Sequence, residues 1–445
     1  MLFNQGETNN ELEYRLEEMN ENEKKTKGLS FNRMLIIIFI LIISVIIIAF
    51  IITVVLISKH KDDDKENNND KSKDNCNHTF NIYYNIKTSE NKMIRNSFKD
   101  GGENYIPEWG NLNNGKDYEE NERDNFDLCI PYEASLDKAK YKAIILYIHG
   151  GGWQSGDKLD IMQLCKGYNS PSLMAASMAY TLLNGQYKEY NIFRIIDEIT
   201  AVLKTMKKFL SNLGYDGEKL ELIIAGGSSG SHLSLLYGYM IQNPPIPIRF
   251  IINNVGPVTL EPKYYLSTLP GKDALENIEP ETILKAQLNG TIVLMNGTST
   301  GMAQTSVDLI QCMNAWVGND VNKNLDEMFI DIDKSILNET NEIYQDLLKK
   351  ASYAFPLKYI TKNSIPTLSL YGGKDEFLGV AHWSLLKKTF YEKGNNKITL
   401  DYFKYGTHDV FSDSTSEYGK KAEEKFHRDQ KEYMEKYLES YKNNK

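Results

Sequence analysis

The chain has 445 residues, 41% hydrophobic, 25% charged and 11% aromatic, with 28 Tyr and 17 Phe to fill a core, a globular composition long enough for one large domain or two ordinary ones. The net charge of −9 and the lack of a compact Lys/Arg patch disfavour a nucleic-acid partner, which needs a positive footprint. The four cysteines, Cys76, Cys129, Cys165 and Cys312, have no C-x-x-C or Cys/His spacing, which speaks against structural zinc; they read as two disulfides in an oxidising compartment or as buried free thiols.

In chain order, residues 1–33 are polar, with Leu12, Leu16 and Met19 at helical spacing, and read as a cytosolic tail without assigned function. Residues 34–57 are an uncharged run of 24 in which only Ser44 and Thr53 are polar. As a helix this run measures about 36 Å at 1.5 Å per residue, enough for a hydrocarbon core of roughly 30 Å. It is too long for the apolar part of a cleavable signal peptide and ends in Val54-Val55-Leu56-Ile57 rather than small residues, so the expectation is one uncleaved transmembrane signal anchor. Residues 58–75, almost all Asp, Lys, Asn, Glu and Ser near their end, cannot bury apolar surface and read as a disordered stalk.

The folded domain is expected over 76–445. Strand-like text runs over 80–84, 126–130, 142–148, 220–225, 249–255, 367–371 and 398–403; helical text runs over 190–213, 229–239 and 383–391. Strands alternating with helices imply a mostly parallel sheet with helices on both faces. Over 257–349 the alternation is lost, and that stretch reads as an insertion or lid that covers the site and sets chain-length preference.

Gly226-Gly227-Ser228-Ser229-Gly230 follows one buried strand and precedes a helix. A nucleophilic serine needs this context, because the sharp turn lifts its hydroxyl clear of the sheet and glycines on either side let strand and helix pass closely. His149-Gly150-Gly151-Gly152-Trp153 ends another buried strand. Its glycines can aim N–H groups at a developing oxyanion, so the expected donors are Gly151 and Gly152, joined by the N–H of Ser229. A phosphate loop is the rival, but the Lys-Ser/Thr that closes one is absent. His149 reads as a residue that shapes the loop. The base must follow in chain order: His408 lies just beyond the last strand, whereas His382 and His427 fall in helical text and are expected to tolerate alanine. Asp375, beyond the strand at 367–371, is the candidate acid; Glu376 and Asp409 are weaker ones. Activity is expected to fall on acidification, since a protonated imidazole cannot accept the serine proton.

With these motifs in view, the chain resembles the esterases related to hormone-sensitive lipase. The residues that carry the likeness are Phe126-Asp127-Leu128-Cys129-Ile130-Pro131, His149 to Trp153 with Gly156-Asp157-Lys158, Gly226 to Leu233, Gly372-x-x-Asp375-x-x-Leu378, and His408 with Phe411. The likeness covers about 120–258 and 355–415. It implies an α/β-hydrolase fold with an eight-stranded sheet, hydrolysis of carboxylic esters through an acyl-enzyme, and no metal or organic cofactor. Cys129 stands where an aromatic is usual, and the 147 positions from Ser228 to Asp375 exceed the usual gap, so substrate rules do not carry through the insertion. The same triad would serve an amidase or peptidase, and a catalytically silent binding protein could keep the fold. The expected partners are a small-molecule ester and a membrane.

Four N-x-S/T triplets, at Asn77, Asn289, Asn296 and Asn338, all follow the apolar run, as do the four cysteines. Lysines flank both sides of that run, so the positive-inside rule does not decide. The triplets and cysteines point to a single-pass type II glycoprotein with its catalytic domain luminal or extracellular.

Overall fold

The computed structural model describes residues 76–83, 99–100, 103–104, 123–139, 142–160, 173–183, 191–265, 306–373, 375, 377–378, 381–411 and 416–442. The chain divides into two units, Met1–Lys73 and Asp74–Lys445, and all the described residues belong to the second. Among the described residues no helix is long and apolar enough to cross a membrane; the expected tail, anchor and stalk (1–75) lie outside them.

Eight strands form one sheet: β1 (Cys76–Tyr83), β2 (Asn125–Pro131), β3 (Ala143–Ile148), β4 (Leu173–Met178), β5 (Glu221–Gly227), β6 (Ile248–Asn254), β7 (Thr367–Gly372) and β8 (Ile398–Phe403), in the order β1-β2-β4-β3-β5-β6-β7-β8. Pairing is antiparallel on both sides of β2 and parallel from β4 to β8. The central strands are continuous apolar runs because they are covered on both faces; Ile144, Ile145, Leu146, Leu222, Ile223 and Ile224 are all inaccessible to solvent. Sequence periodicity offered no hint of β4. Its Leu-Met-Ala-Ala-Ser-Met lacks β-branched residues, and it is a strand because tertiary context, between β2 and β3, overrides weak propensity.

The longer helices among the described residues are α1 (Ile192–Asn212), α2 (Ser229–Met240), α3 (Ser306–Trp316), α4 (Glu342–Ala351), α5 (Ala381–Glu392) and α6 (Glu417–Tyr437). Helix α1 starts where the Asn191 side chain accepts the N–H groups of Phe193 and Arg194, and it buries Arg194 against Glu198 at 2.8 Å. The expected insertion contributes α3, α4 and a two-stranded ribbon, Phe329–Asp331 with Ile336–Leu337; its part over 266–305 lies outside the described residues. At the start of β5 the buried Glu221 carboxylate forms an ion pair with Arg249, Nε 2.8 Å away, and accepts the N–H groups of Glu439 and Ser440 at 3.0 and 2.9 Å and the Ser440 hydroxyl at 2.7 Å.

Cys129 is disulfide-bonded, whereas Cys312 is a free, buried thiol whose pKa burial pushes up to about 12. With one of four cysteines free, two disulfides are excluded, and so is the alternative of four free thiols.

Candidate active site

The carboxyl ends of β3, β5, β7 and β8 lie on one side of the sheet, where parallel α/β folds place their ligands. Ser228 is the single residue between β5 and α2. Its φ of 53° and ψ of −121° are sparsely populated for a residue with a side chain and cost on the order of 1–3 kcal/mol. The turn is held by the Ser228 N–H on the Asn254 carbonyl at 2.9 Å and by the His232 N–H on the Ser228 carbonyl at 3.1 Å. Glycine is required beside it: a Cβ on Gly230 would come 1.9 Å from the Ile148 carbonyl oxygen, and one on Gly226 2.3 Å from the Gly230 carbonyl carbon. Ser229 opens α2, where the first N–H groups have no intrahelical acceptor.

After β3, Gly151 and Gly152 adopt φ of 109° and 59°. The Gly151 carbonyl is turned into its own loop, where it accepts the N–H groups of Gln154 and Ser155 at 3.1 and 3.0 Å. His149 shapes this loop. Its Nδ1 donates to the Gly150 carbonyl at 2.7 Å, so its Nε2 accepts from Arg123 Nη2 at 3.1 Å, and its ring stacks on Tyr180 at 4.1 Å. With both nitrogens engaged it has no lone pair for base chemistry. Arg123, which no motif singles out, also donates to the carbonyls of Tyr180 at 2.7 Å and Gly156 at 2.9 Å. Lys158 meets the buried Asp127 carboxylate at 2.5 Å, tying the far end of the loop to β2.

Asp375 follows β7. Its Oδ1 accepts the N–H groups of Phe377 and Leu378, both at 2.8 Å, and His408 Nδ1 lies 2.9 Å from Oδ2 and 3.0 Å from Oδ1. The Asp375 side chain is 1% exposed and that of His408 21%. A carboxylate can only accept, so Nδ1 carries the proton and Nε2 keeps a lone pair. The Phe377 ring packs against the imidazole at 4.7 Å.

Ser228, His408, Gly151 and Gly152 line one cavity of about 340 Å³, walled by Trp153, Pro257, Tyr265, Phe377 and Leu378. The other candidates lie apart. His427 is half-exposed on α6, 3.6 Å from Glu423, Asp409 caps its own turn through the Phe411 N–H, and Glu376 falls outside the described residues. Apart from Ser228, His408 and Tyr265, the side chains that line the cavity are apolar, and among the described residues no acidic or lysine side chain is in its walls. Among the described residues no cluster of His, Cys, Asp and Glu is arranged to hold a metal ion.

The insertion reaches this site through an aromatic cluster. Trp153 Nε1 donates to His232 Nδ1 at 3.2 Å, and His232 Nε2 donates to the Ala354 carbonyl at 2.8 Å. Trp316, at the end of α3, stacks on His232 at 4.6 Å and meets Trp153 edge-on at 4.8 Å. Burial lowers the His232 pKa to about 3, so the ring is a neutral connector.

Residues 127–269 match the BD-FAE model, an esterase family of the α/β-hydrolase fold. The chain is a carboxylic ester hydrolase. Among solved structures, the esterase is similar to a truncated carbohydrate esterase from gut microbiota (14% identity over 80% of this chain and 98% of that one, TM-score 0.45). It is also similar to Thermogutta terrifontis esterase 2 phosphonylated by sarin (14%, 72% and 94%, 0.44) and to an inhibited esterase B from Lactobacillus rhamnosis (13%, 87% and 98%, 0.43). No curated protein matches it in sequence. The match to the family ends at residue 269, so the esterase's α3 and α4 lie beyond it.

Proposed function

We propose that this esterase works through an acyl-enzyme on Ser228. His408 Nε2 takes the serine proton as Oγ attacks the ester carbonyl, and then returns it to the leaving alcohol. Asp375 holds Nδ1 protonated, and the N–H groups of Gly151, Gly152 and Ser229 stabilise the oxyanion. The observation that carries this reading is that Ser228, on its strained turn, and His408, bonded to a doubly anchored carboxylate, face one cavity. The apolar walls favour esters with uncharged acyl groups. A fluorophosphonate probe on the purified protein, followed by p-nitrophenyl esters competed against the matching anilides, tests it. The expected outcome is labelling at Ser228 and ester cleavage well ahead of anilide cleavage; labelling elsewhere or a preference for anilides rejects the reading.

The same proposal places the enzyme on a membrane through residues 34–57, with the tail cytosolic and the catalytic domain in the secretory lumen or outside the cell. Support comes from the length and apolarity of that run, from the disulfide at Cys129 and from the acceptor triplets. At one of them the Asn338 side-chain oxygen accepts both the N–H and the hydroxyl of Thr340, at 3.2 and 2.9 Å, leaving the amide nitrogen for modification. Endoglycosidase treatment of the native protein should increase its mobility, and sealed microsomes should protect the domain from protease. An unglycosylated domain that is digested in intact vesicles belongs on the cytosolic face.

A further inference from the structure

Beyond β6 the chain turns sharply into the cavity wall. Val255 is held at φ 50°, a conformation in which a β-branched residue is an outlier. Gly256 is clamped on both sides: its N–H donates to Asn253 Oδ1 at 2.9 Å and its carbonyl accepts the Tyr371 hydroxyl at 2.6 Å. The next two residues face opposite ways. Pro257 lines the cavity, and the Val258 N–H donates to Nδ1 of His382 at 3.1 Å. His382, at the second position of α5, is inaccessible to solvent. Its ring meets Tyr265, another wall residue, edge-on at 4.7 Å, and the Tyr265 hydroxyl donates back to the Thr259 carbonyl at 2.7 Å.

We propose that His382 is a positioning residue that fixes the wall from Pro257 to Tyr265 and through it the acyl group the site accepts, a proposal that rests on the reading of Ser228 above. Because Nδ1 accepts from Val258, the ring proton sits on Nε2, and burial lowers the pKa to about 3, which keeps the Nδ1 lone pair available at any ordinary pH. The sequence placed His382 among ordinary helix residues that tolerate substitution; its burial and its two contacts with the wall give it a different role. The position demands an acceptor at one point and a flat face for Tyr265. Asparagine supplies an acceptor near the place of Nδ1, whereas glutamine carries its polar atoms out to the place of Nε2 and leaves the buried Val258 N–H without a partner.

The test compares H382N and H382Q with the unaltered full-length protein in detergent, using p-nitrophenyl acetate, butyrate and octanoate, thermal melting, and S228A as a control. H382Q is expected to raise the KM for butyrate roughly ten-fold with kcat changed less than about three-fold, the size expected when a buried donor loses its acceptor. H382N should stay within about three-fold in both constants. An unchanged KM in H382Q, equal damage in both variants, a loss confined to kcat, or failure of both to fold overturns the proposal. If S228A remains active, the reading of the site itself falls; if S228A is inactive and H382Q unchanged, only the positioning role falls.

Discussion

Ser228→Ala is expected to lower ester turnover by roughly 10⁴-fold or more with no loss of folded protein, the usual consequence of removing a triad member. The fold should survive because the turn is held by backbone groups, the Ser228 N–H on Asn254 and the His232 N–H on Ser228, and because neighbouring glycines, rather than the serine side chain, make the close approach of β3 and α2 possible. Alanine suits the strained φ of 53° no better than serine does, so the melting temperature should move little. Turnover near that of the unaltered enzyme, in protein free of contamination, would falsify the assignment.

Asp375→Asn should be nearly as damaging, with a loss on the order of 10⁴-fold, for a reason specific to the local bonds. The Phe377 and Leu378 N–H groups both point at Oδ1, so an asparagine there must keep its carbonyl oxygen on them. Its NH₂ then takes the place of Oδ2, 2.9 Å from His408 Nδ1. A donor facing Nδ1 forces the ring proton onto Nε2, the nitrogen that should accept from serine. His408→Ala should be equally impaired, whereas His427→Ala, on an exposed face beside Glu423, should keep full activity. Steady-state kinetics with melting curves on the three variants provide the check; an active D375N enzyme, or an inactive H427A one at equal stability, means the base and its orienter are elsewhere.

The central strands were legible because 142–148 and 220–225 are apolar runs ending in glycine, and the observed β3 and β5 differ from them by only a residue or two. Candidate residues could be named because the chemistry restricts what can stand after a strand: glycines around a serine, a carboxylate, then a histidine. What escaped was whatever is specified only in three dimensions. Arg123 supports the glycine loop from outside any motif, β4 has the composition of a helix, and Trp316 approaches Trp153 from 163 positions away along the chain. His382 escaped because its partner is a backbone N–H, and no side-chain pattern records such a bond. The paired-disulfide reading failed because Cys312 packs in the apolar face of α3.

The grip of Glu221 on residues 439 and 440 bears on how the enzyme is made. Strand β5 leads directly into Ser228, yet the carboxylate at its start has two of its backbone donors on residues 218 and 219 positions later. A ribosome delivers the chain from the N-terminus, so the strand that carries the nucleophile emerges long before the donors that complete its burial. Until they arrive, a charge meant for the interior has only Arg249 to answer it, and a buried charge without its full set of partners is costly. A chain that stops short of residue 439 is therefore expected to hold β5, and the turn that carries Ser228, less firmly than the whole domain does.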